Sequence, residues 1–230
     1  MLSRTKAGLS MSEAGLVHIV DDDPGVRAGL SSLVRSVGYA ARLYGTAGEF
    51  LESELPAIPS CLLLDVRLPG TNGLDLQDSL RQRGIRFPVI LMTGYGDVQM
   101  SVRGMKAGAQ DFLTKPLRHQ DVLDAIALAV ARDRDRRAAT LKIDAIRARI
   151  GILTPRERQV MDLVAMGKMN KQIASDLRLS QITVKMHRGS LMRKMGVRSV
   201  AELVKLVETH RLACGAEQHH AASAVHIHRE

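Results

Sequence analysis

At 230 residues, 45% hydrophobic and 25% charged, the chain can form one large domain or two ordinary ones, and its composition excludes a disordered protein. No apolar run approaches the roughly 20 residues that span a bilayer, and MLSRTKAGLSMSEAG lacks the apolar core of a signal peptide, so a cytoplasmic protein with no membrane partner is expected. The net charge of +9 is uneven: residues 151–211 hold 12 Lys+Arg against 5 Asp+Glu, which suggests a partner bearing phosphates over a merely solvated basic face. Cys61 and Cys214 lie far apart and outside any metal-like spacing, and read as reduced thiols.

From residue 16 strand-like and helix-like runs alternate. LVHIV (16–20), CLLL (61–64) and PVILM (88–92) are short and apolar, as strands buried on both faces tend to be, with YAARLY (39–44) and DFL (111–113) as weaker candidates. Helix signals fall between them. Asp23-Pro24 offers an N-cap and an N1 proline, Thr46 with Glu49 fits a capping box, and Gly38, Gly84 and Gly108 sit where helices would close. Five strands separated by helices predict a parallel sheet covered on both faces. Beyond Leu117 the pattern is helical. VLDAIALAV is apolar, whereas ARDRDRR and LKIDAIRARI are charge-rich, as in a long exposed connecting helix or, alternatively, a disordered linker.

Residues 151–211 read as a separate helical unit. Thr154-Pro155-Arg156-Glu157 is a capping box with proline at N1, and Gly167 ends that helix. NKQIASDL makes a short helix, Ser180 caps a longer one closed by Gly196, and Ser199 with Glu202 opens a fourth. Four helices in about sixty residues imply a compact bundle containing a helix-turn-helix. The tail CGAEQHHAASAVHIHRE has no clear period and is expected to be disordered, its four histidines at most loose metal ligands.

In an open parallel sheet, function collects at the carboxyl ends of the strands. Four predicted strands deliver polar groups there: Asp21-Asp22-Asp23, Asp65 in LLLDVRLPG (62–70), Thr93-Gly94, and Lys115-Pro116. Clustered carboxylates repel, so they need a cation or must hold protons. Hard oxygen donors favour Mg²⁺, which shares phosphate oxygens. A carboxylate beside such a metal can attack phosphorus to give an acyl phosphate, with Lys115 as a point charge and Thr93 as a hydrogen-bond donor to the phosphoryl group. Taken singly, each of these residues has a structural reading as a helix start, turn or loop; their joint order carries the inference.

HIVDDD, LLLDVRLPG, VILMTGYGD and AGAQDFLTKPL resemble the receiver domain of bacterial response regulators over roughly residues 15–130. The resemblance implies a flavodoxin-like, doubly wound α/β fold with a five-stranded parallel sheet. It implies Asp65 as phospho-acceptor, Mg²⁺ (or Mn²⁺) held by Asp21, Asp22, Asp65 and the backbone carbonyl of Arg67, and phosphoryl oxygens bound by Thr93 and Lys115. A cis Lys115-Pro116 peptide is implied too, as is Phe112 as the aromatic that turns inward when Thr93 moves. Many receivers carry tyrosine there, so Phe112 lacks the hydroxyl handle.

TPRE, NKQIA, TVKMH and RKM within residues 151–210 resemble the DNA-binding output domain of the LuxR and NarL families. The two parts together resemble FixJ-type regulators, and among them the StyR-like ones with a long linker helix. The expected layout is a flexible N-terminus (1–14), receiver (15–130), linker helix (131–149), small all-α four-helix DNA-binding domain (150–211) and tail (212–230). In the helix 181–195, periodicity puts Val184, Leu191 and Met195 in the core with His187 beside them. Ile182, Thr183, Lys185, Met186 and Gly189 are left toward the major groove, where Lys185 suits guanine and Met186 a thymine methyl. Arg188, Arg193, Lys194 and Lys171 suit phosphate contacts. Gly189 departs from many relatives, which carry a longer side chain.

The implied protein is a transcription factor phosphorylated by a sensor histidine kinase. It would dimerise through the surface around residues 97–130, bind promoter DNA and, with RNA polymerase, most simply activate transcription. The rivals are a phosphorylation-independent DNA-binding protein using its receiver as a scaffold, and an enzyme such as a phosphohydrolase. A nucleotide-binding role is disfavoured because no Gly-rich phosphate loop follows the first strand.

Overall fold

The computed structural model describes residues 15–94, 104–106 and 108–226. The expected flexible N-terminus (1–14) and the segment after Gly94, which begins the proposed dimer surface, lie outside the described residues.

The first compact unit runs to Arg137. Its elements are β1 (Leu16–Val20), α1 (Pro24–Ser36), β2 (Ala40–Tyr44), α2 (Ala47–Glu52), β3 (Ser60–Asp65), β4 (Arg67–Leu68), β5 (Thr71–Asn72), α3 (Gly73–Gln82), β6 (Val89–Thr93) and β7 (Asp111–Thr114). The long helix α4 (His119–Gly151) begins here and continues past the unit's end. The main sheet is parallel throughout, in the order β2-β1-β3-β6-β7. From β1 the chain adds β2 on one side and then β3 and the later strands on the other, so the carboxyl ends of β1 and β3 flank the topological switch point.

The short apolar runs become strands because alternate residues are buried on opposite faces. Val20, Leu62, Leu64 and Leu91 meet Phe50, Leu76 and Leu80 on one side. Ile19, Leu63, Ile90 and Met92 meet Leu30, Val34, Val122 and Ile126 on the other. The capping signals are used as expected: the Asp23 side chain accepts from the amides of Gly25 and Val26, and Thr46 accepts from Glu49. Glu49 reaches back one residue further than a capping box requires, to the Gly45 amide at 2.7 Å.

The second unit, from Ala138, contains the end of α4 and then α5 (Pro155–Ala165), α6 (Asn170–Leu177), α7 (Gln181–Met195) and α8 (Val200–His226). Val160, Met161, Val164, Ile173, Val184, Leu191, Met195, Leu203 and Val207 form its core. The α6–α7 turn passes through Arg178 in the left-handed region (φ 52°), giving the helix-turn-helix. Among the described residues no helix is long and apolar enough to cross a membrane.

Three expectations change. DVRLPG, read as a turn, contains one arm of a two-stranded antiparallel ladder, β4 with β5. The tail expected to be irregular from residue 212 is instead the continuation of α8 as far as His226. The charge-rich start of the linker is not wholly exposed, because Asp133 is completely buried against the first unit. Its carboxylate accepts the Ser60 amide at 2.9 Å, Arg136 Nε at 3.0 Å and Arg137 Nε at 2.6 Å. Only a charge so satisfied is tolerated in such a place.

Candidate functional site

The carboxyl ends of β1, β3, β6 and β7 bring one set of residues together. Asp21 directly follows β1 and is fully buried, Asp65 ends β3 and is 5% exposed, and Asp22 is open to solvent. One carboxylate oxygen from each lies within 4.8 Å of the other two. Local turns aim these groups. Asp21 Oδ1 accepts the Asp23 amide and Asp65 Oδ1 accepts the Arg67 amide, each at 2.9 Å. Their second oxygens both face Lys115, whose Nζ donates to Asp21 Oδ2 at 2.8 Å and to Asp65 Oδ2 at 2.5 Å. Lys115 precedes a cis proline.

Electrostatics hold this cluster together. Partial burial pulls the Lys115 pKa down, but hydrogen bonds and charge attraction from Asp21 and Asp65 outweigh it and leave the ammonium above its ordinary value. Thr93 ends β6 beside Thr114 of β7, and its buried Oγ1 has no hydrogen-bond partner among the described residues. A buried hydroxyl of that kind costs free energy unless something accepts from it. Three hard carboxylate oxygens at this spacing suit a small divalent cation that keeps part of its water. Phe112 is half-buried, one strand over from Leu91, and packs against the core below the cluster.

Sequence reasoning missed two residues here. Arg27 Nη1 donates to the Asp21 carbonyl at 2.6 Å, fixing the loop after β1 from α1. Gly73 starts α3 directly behind the cluster: a Cβ there would meet the Asp65 carbonyl oxygen at 2.6 Å and Val66 Cα at 3.0 Å. Real Cβ atoms do not approach so closely, so glycine is what lets α3 press against the acidic strand end. The signal available was a glycine at a strand-to-helix junction.

In the second unit the residues expected at the DNA divide into two groups. Ile182 (75% exposed), Lys185, Met186 (71% exposed), Gly189 and Arg193 share one exposed face of α7, and Lys171 on α6 is exposed. Thr183 is half-buried, its hydroxyl 2.8 Å from that of the cap residue Ser180. His187 is also half-buried. Arg188 spends one donor on Asn170 Oδ1 at 2.5 Å, bracing α7 to the start of α6. Lys194 is half-buried and pairs with the buried carboxylate of Glu157 at 2.7 Å, which ties it to the bundle. Glu157 also accepts from Ser190 Oγ at 2.6 Å and from the Thr154 amide at 2.8 Å. The Lys194 bond, then the Ser190 and Thr154 bonds, hold its carboxyl down at about 2.

Each of the two units matches a known family. Residues 17–127 match the response regulator receiver domain, and residues 151–207 match the luxR family of bacterial regulatory proteins. The chain is similar to nodulation protein W of Bradyrhizobium diazoefficiens, with 48% identity over 86% of this chain and 87% of that protein. It is 40% identical to the response regulator protein TodT of Pseudomonas putida, over 85% of this chain and 86% of the relative. The solved structure of the response regulator StyR is 44% identical and covers 85% of this chain and 98% of its own, with a TM-score of 0.79. The chain therefore belongs to the FixJ-type two-component response regulators, transcription regulators that join a receiver domain to a LuxR-type DNA-binding domain.

Proposed function

We propose that Asp65 accepts a phosphoryl group from a sensor histidine kinase, and that this switches the chain into a dimer that binds promoter DNA. The observation that carries this reading is the convergence of Lys115 on Asp65 and Asp21, beside a buried Thr93 hydroxyl that lacks a partner. An Asp65 oxygen attacks the phosphorus of a phosphohistidine; the new P–O bond forms as the P–N bond breaks, and the departing imidazole takes up a proton. Lys115 then moves its ammonium from the carboxylate to a phosphoryl oxygen, and Thr93 Oγ1 donates to another. Asp21, Asp22 and Asp65 with the Arg67 carbonyl would hold Mg²⁺ or Mn²⁺, which supplies positive charge against the phosphoryl oxygens.

Motion of Thr93 toward the phosphoryl group opens room for Phe112 to turn inward, resetting the surface around residues 97–130 for dimerisation. A dimer reads two half-sites, through Ile182, Thr183, Lys185, Met186 and Gly189 for bases and through Arg188, Arg193 and Lys171 for phosphates. The protein is cytoplasmic, recruits RNA polymerase as an activator, and loses its phosphoryl group slowly to water without turning over other substrates.

The test is solution mass of the full chain with and without beryllofluoride and Mg²⁺, for the native protein and for Asp65→Asn; beryllofluoride stands in for the phosphoryl group. A monomer-to-dimer shift lost in D65N is expected. An absent shift, or an equal one in D65N, would return the receiver to a phosphorylation-independent scaffold.

A further inference from the structure

Gly189 stands in the middle of α7 with ordinary helical backbone; it is not among the glycines with positive φ. It is exposed, and a Cβ built on it would meet nothing within 4 Å. Each usual reason for a helical glycine is therefore missing: no turn, no left-handed conformation, no neighbouring element pressed against it. Yet glycine disfavours helix relative to alanine by roughly a factor of two to five. Within the second unit, nothing that touches α7 has a use for glycine at this position.

The other faces of the helix are engaged within the bundle. Val184, Leu191 and Met195 are buried, Ser190 and Lys194 hold Glu157, and Arg188 reaches Asn170. Gly189 lies instead on the remaining face, at helical spacing from Ile182, Lys185, Met186 and Arg193. That face pairs two large, largely exposed apolar side chains with two exposed cations, Lys185 and Arg193, that make no ion pair among the described residues. An α-helix with side chains is about 10–12 Å across, close to the roughly 12 Å width of the major groove. One missing side chain at the centre of the inserted face lets the helix backbone settle deeper between the strands.

We propose that Gly189 is a specificity-determining residue: the major-groove edge of the operator seats directly on the α7 backbone there. Lys185, one turn earlier, lies over the gap and supplies the donor to the base edges, while Ile182 and Met186 flank it and meet apolar thymine methyls. The proposal rests on α7 being the helix that reads DNA. The seat depends on shape, so any side chain at 189 lifts the helix and weakens the cognate complex, while phosphate-dominated binding to unrelated sequence is unaffected.

The experiment begins with the full chain, activated by beryllofluoride and Mg²⁺, selecting duplexes from a randomised pool. The affinity of the native protein for a selected duplex and for an unselected one is then compared with that of Gly189→Ala and Gly189→Leu. G189A is expected to unfold at higher temperature than the native chain, yet to bind the selected duplex about tenfold more weakly, with unselected DNA changed by less than twofold. G189L should lose more. Cognate affinity equal to or tighter than native in G189A overturns the proposal, as does an equal loss on both duplexes. If the native chain enriches no sequence at all, it is the DNA-reading role of α7 that fails, which is a separate outcome.

Discussion

His18 makes the receiver sensitive to acid in a way that follows from its surroundings. It occupies the middle of β1 and is fully buried. Its ring stacks on Phe87 at 5.4 Å and on Tyr44 at 5.8 Å, and Phe50 meets it edge-on at 5.4 Å. Nδ1 shares a 3.0 Å hydrogen bond with the Tyr44 hydroxyl. Burial first, and the nearby Arg42 charge second, lower its pKa from 6.5 to about 4. The unfolded chain thus binds a proton near pH 6.5 that the folded receiver refuses until about pH 4. Stability from this group is complete above pH 6.5, erodes between 6.5 and 4, and falls no further below that. At 1.36 kcal/mol per pKa unit, the loss by pH 4.5 is about 2.5 kcal/mol. The chain has no tryptophan, and its three tyrosines, at 39, 44 and 95, all lie in the receiver, so tyrosine fluorescence follows that domain alone. Urea unfolding at pH 7 and pH 4.5 should show the native receiver losing about 2.5 kcal/mol more than His18→Phe. Parallel losses in the two proteins would refute the reasoning.

Three further outcomes are expected. Asp133→Ala should destabilise the receiver by about 2–3 kcal/mol, because it strands a buried Ser60 amide and two guanidiniums that can still reach water; urea midpoints read by tyrosine fluorescence check this. Gly73→Ala should shift the Asp65 strand end and slow phosphoryl acceptance at least several-fold, measured with acetyl phosphate as donor, since the new Cβ cannot sit 2.6 Å from the Asp65 carbonyl. The depressed Glu157 carboxyl contributes stability present above pH 4.5 and lost as pH falls toward about 2. Helical unfolding of the second unit should therefore sharpen its acid sensitivity in that window, and Glu157→Gln should flatten it.

Much of this was legible because the signals were local. Asp23-Pro24 and Thr154-Pro155 start helices through atoms two or three residues away, and the runs at 16–20, 61–64 and 88–92 are apolar enough on both faces to read as buried strands from their own residues. The acidic cluster was legible for a different reason: strand order in a doubly wound sheet fixes which loops converge. What escaped depended on contacts far along the chain. Asp133 reads as one charge among many in ARDRDRR, and only its 73-residue reach to Ser60 distinguishes it. Lys194 looks like any basic residue of α7 until Glu157, 37 positions earlier, claims it. The β4–β5 ladder is two residues per strand, too short to leave a period.

The Asp133 fork also fixes where the receiver can be cut. A chain severed after Val130 keeps every sheet strand yet discards the carboxylate that closes the foot of β3, the strand whose other end is Asp65. Chimaeras that exchange output domains between regulators of this kind should be joined beyond Arg137. A junction seven residues earlier would graft a foreign sequence onto what is still, by its hydrogen bonds, part of the receiver.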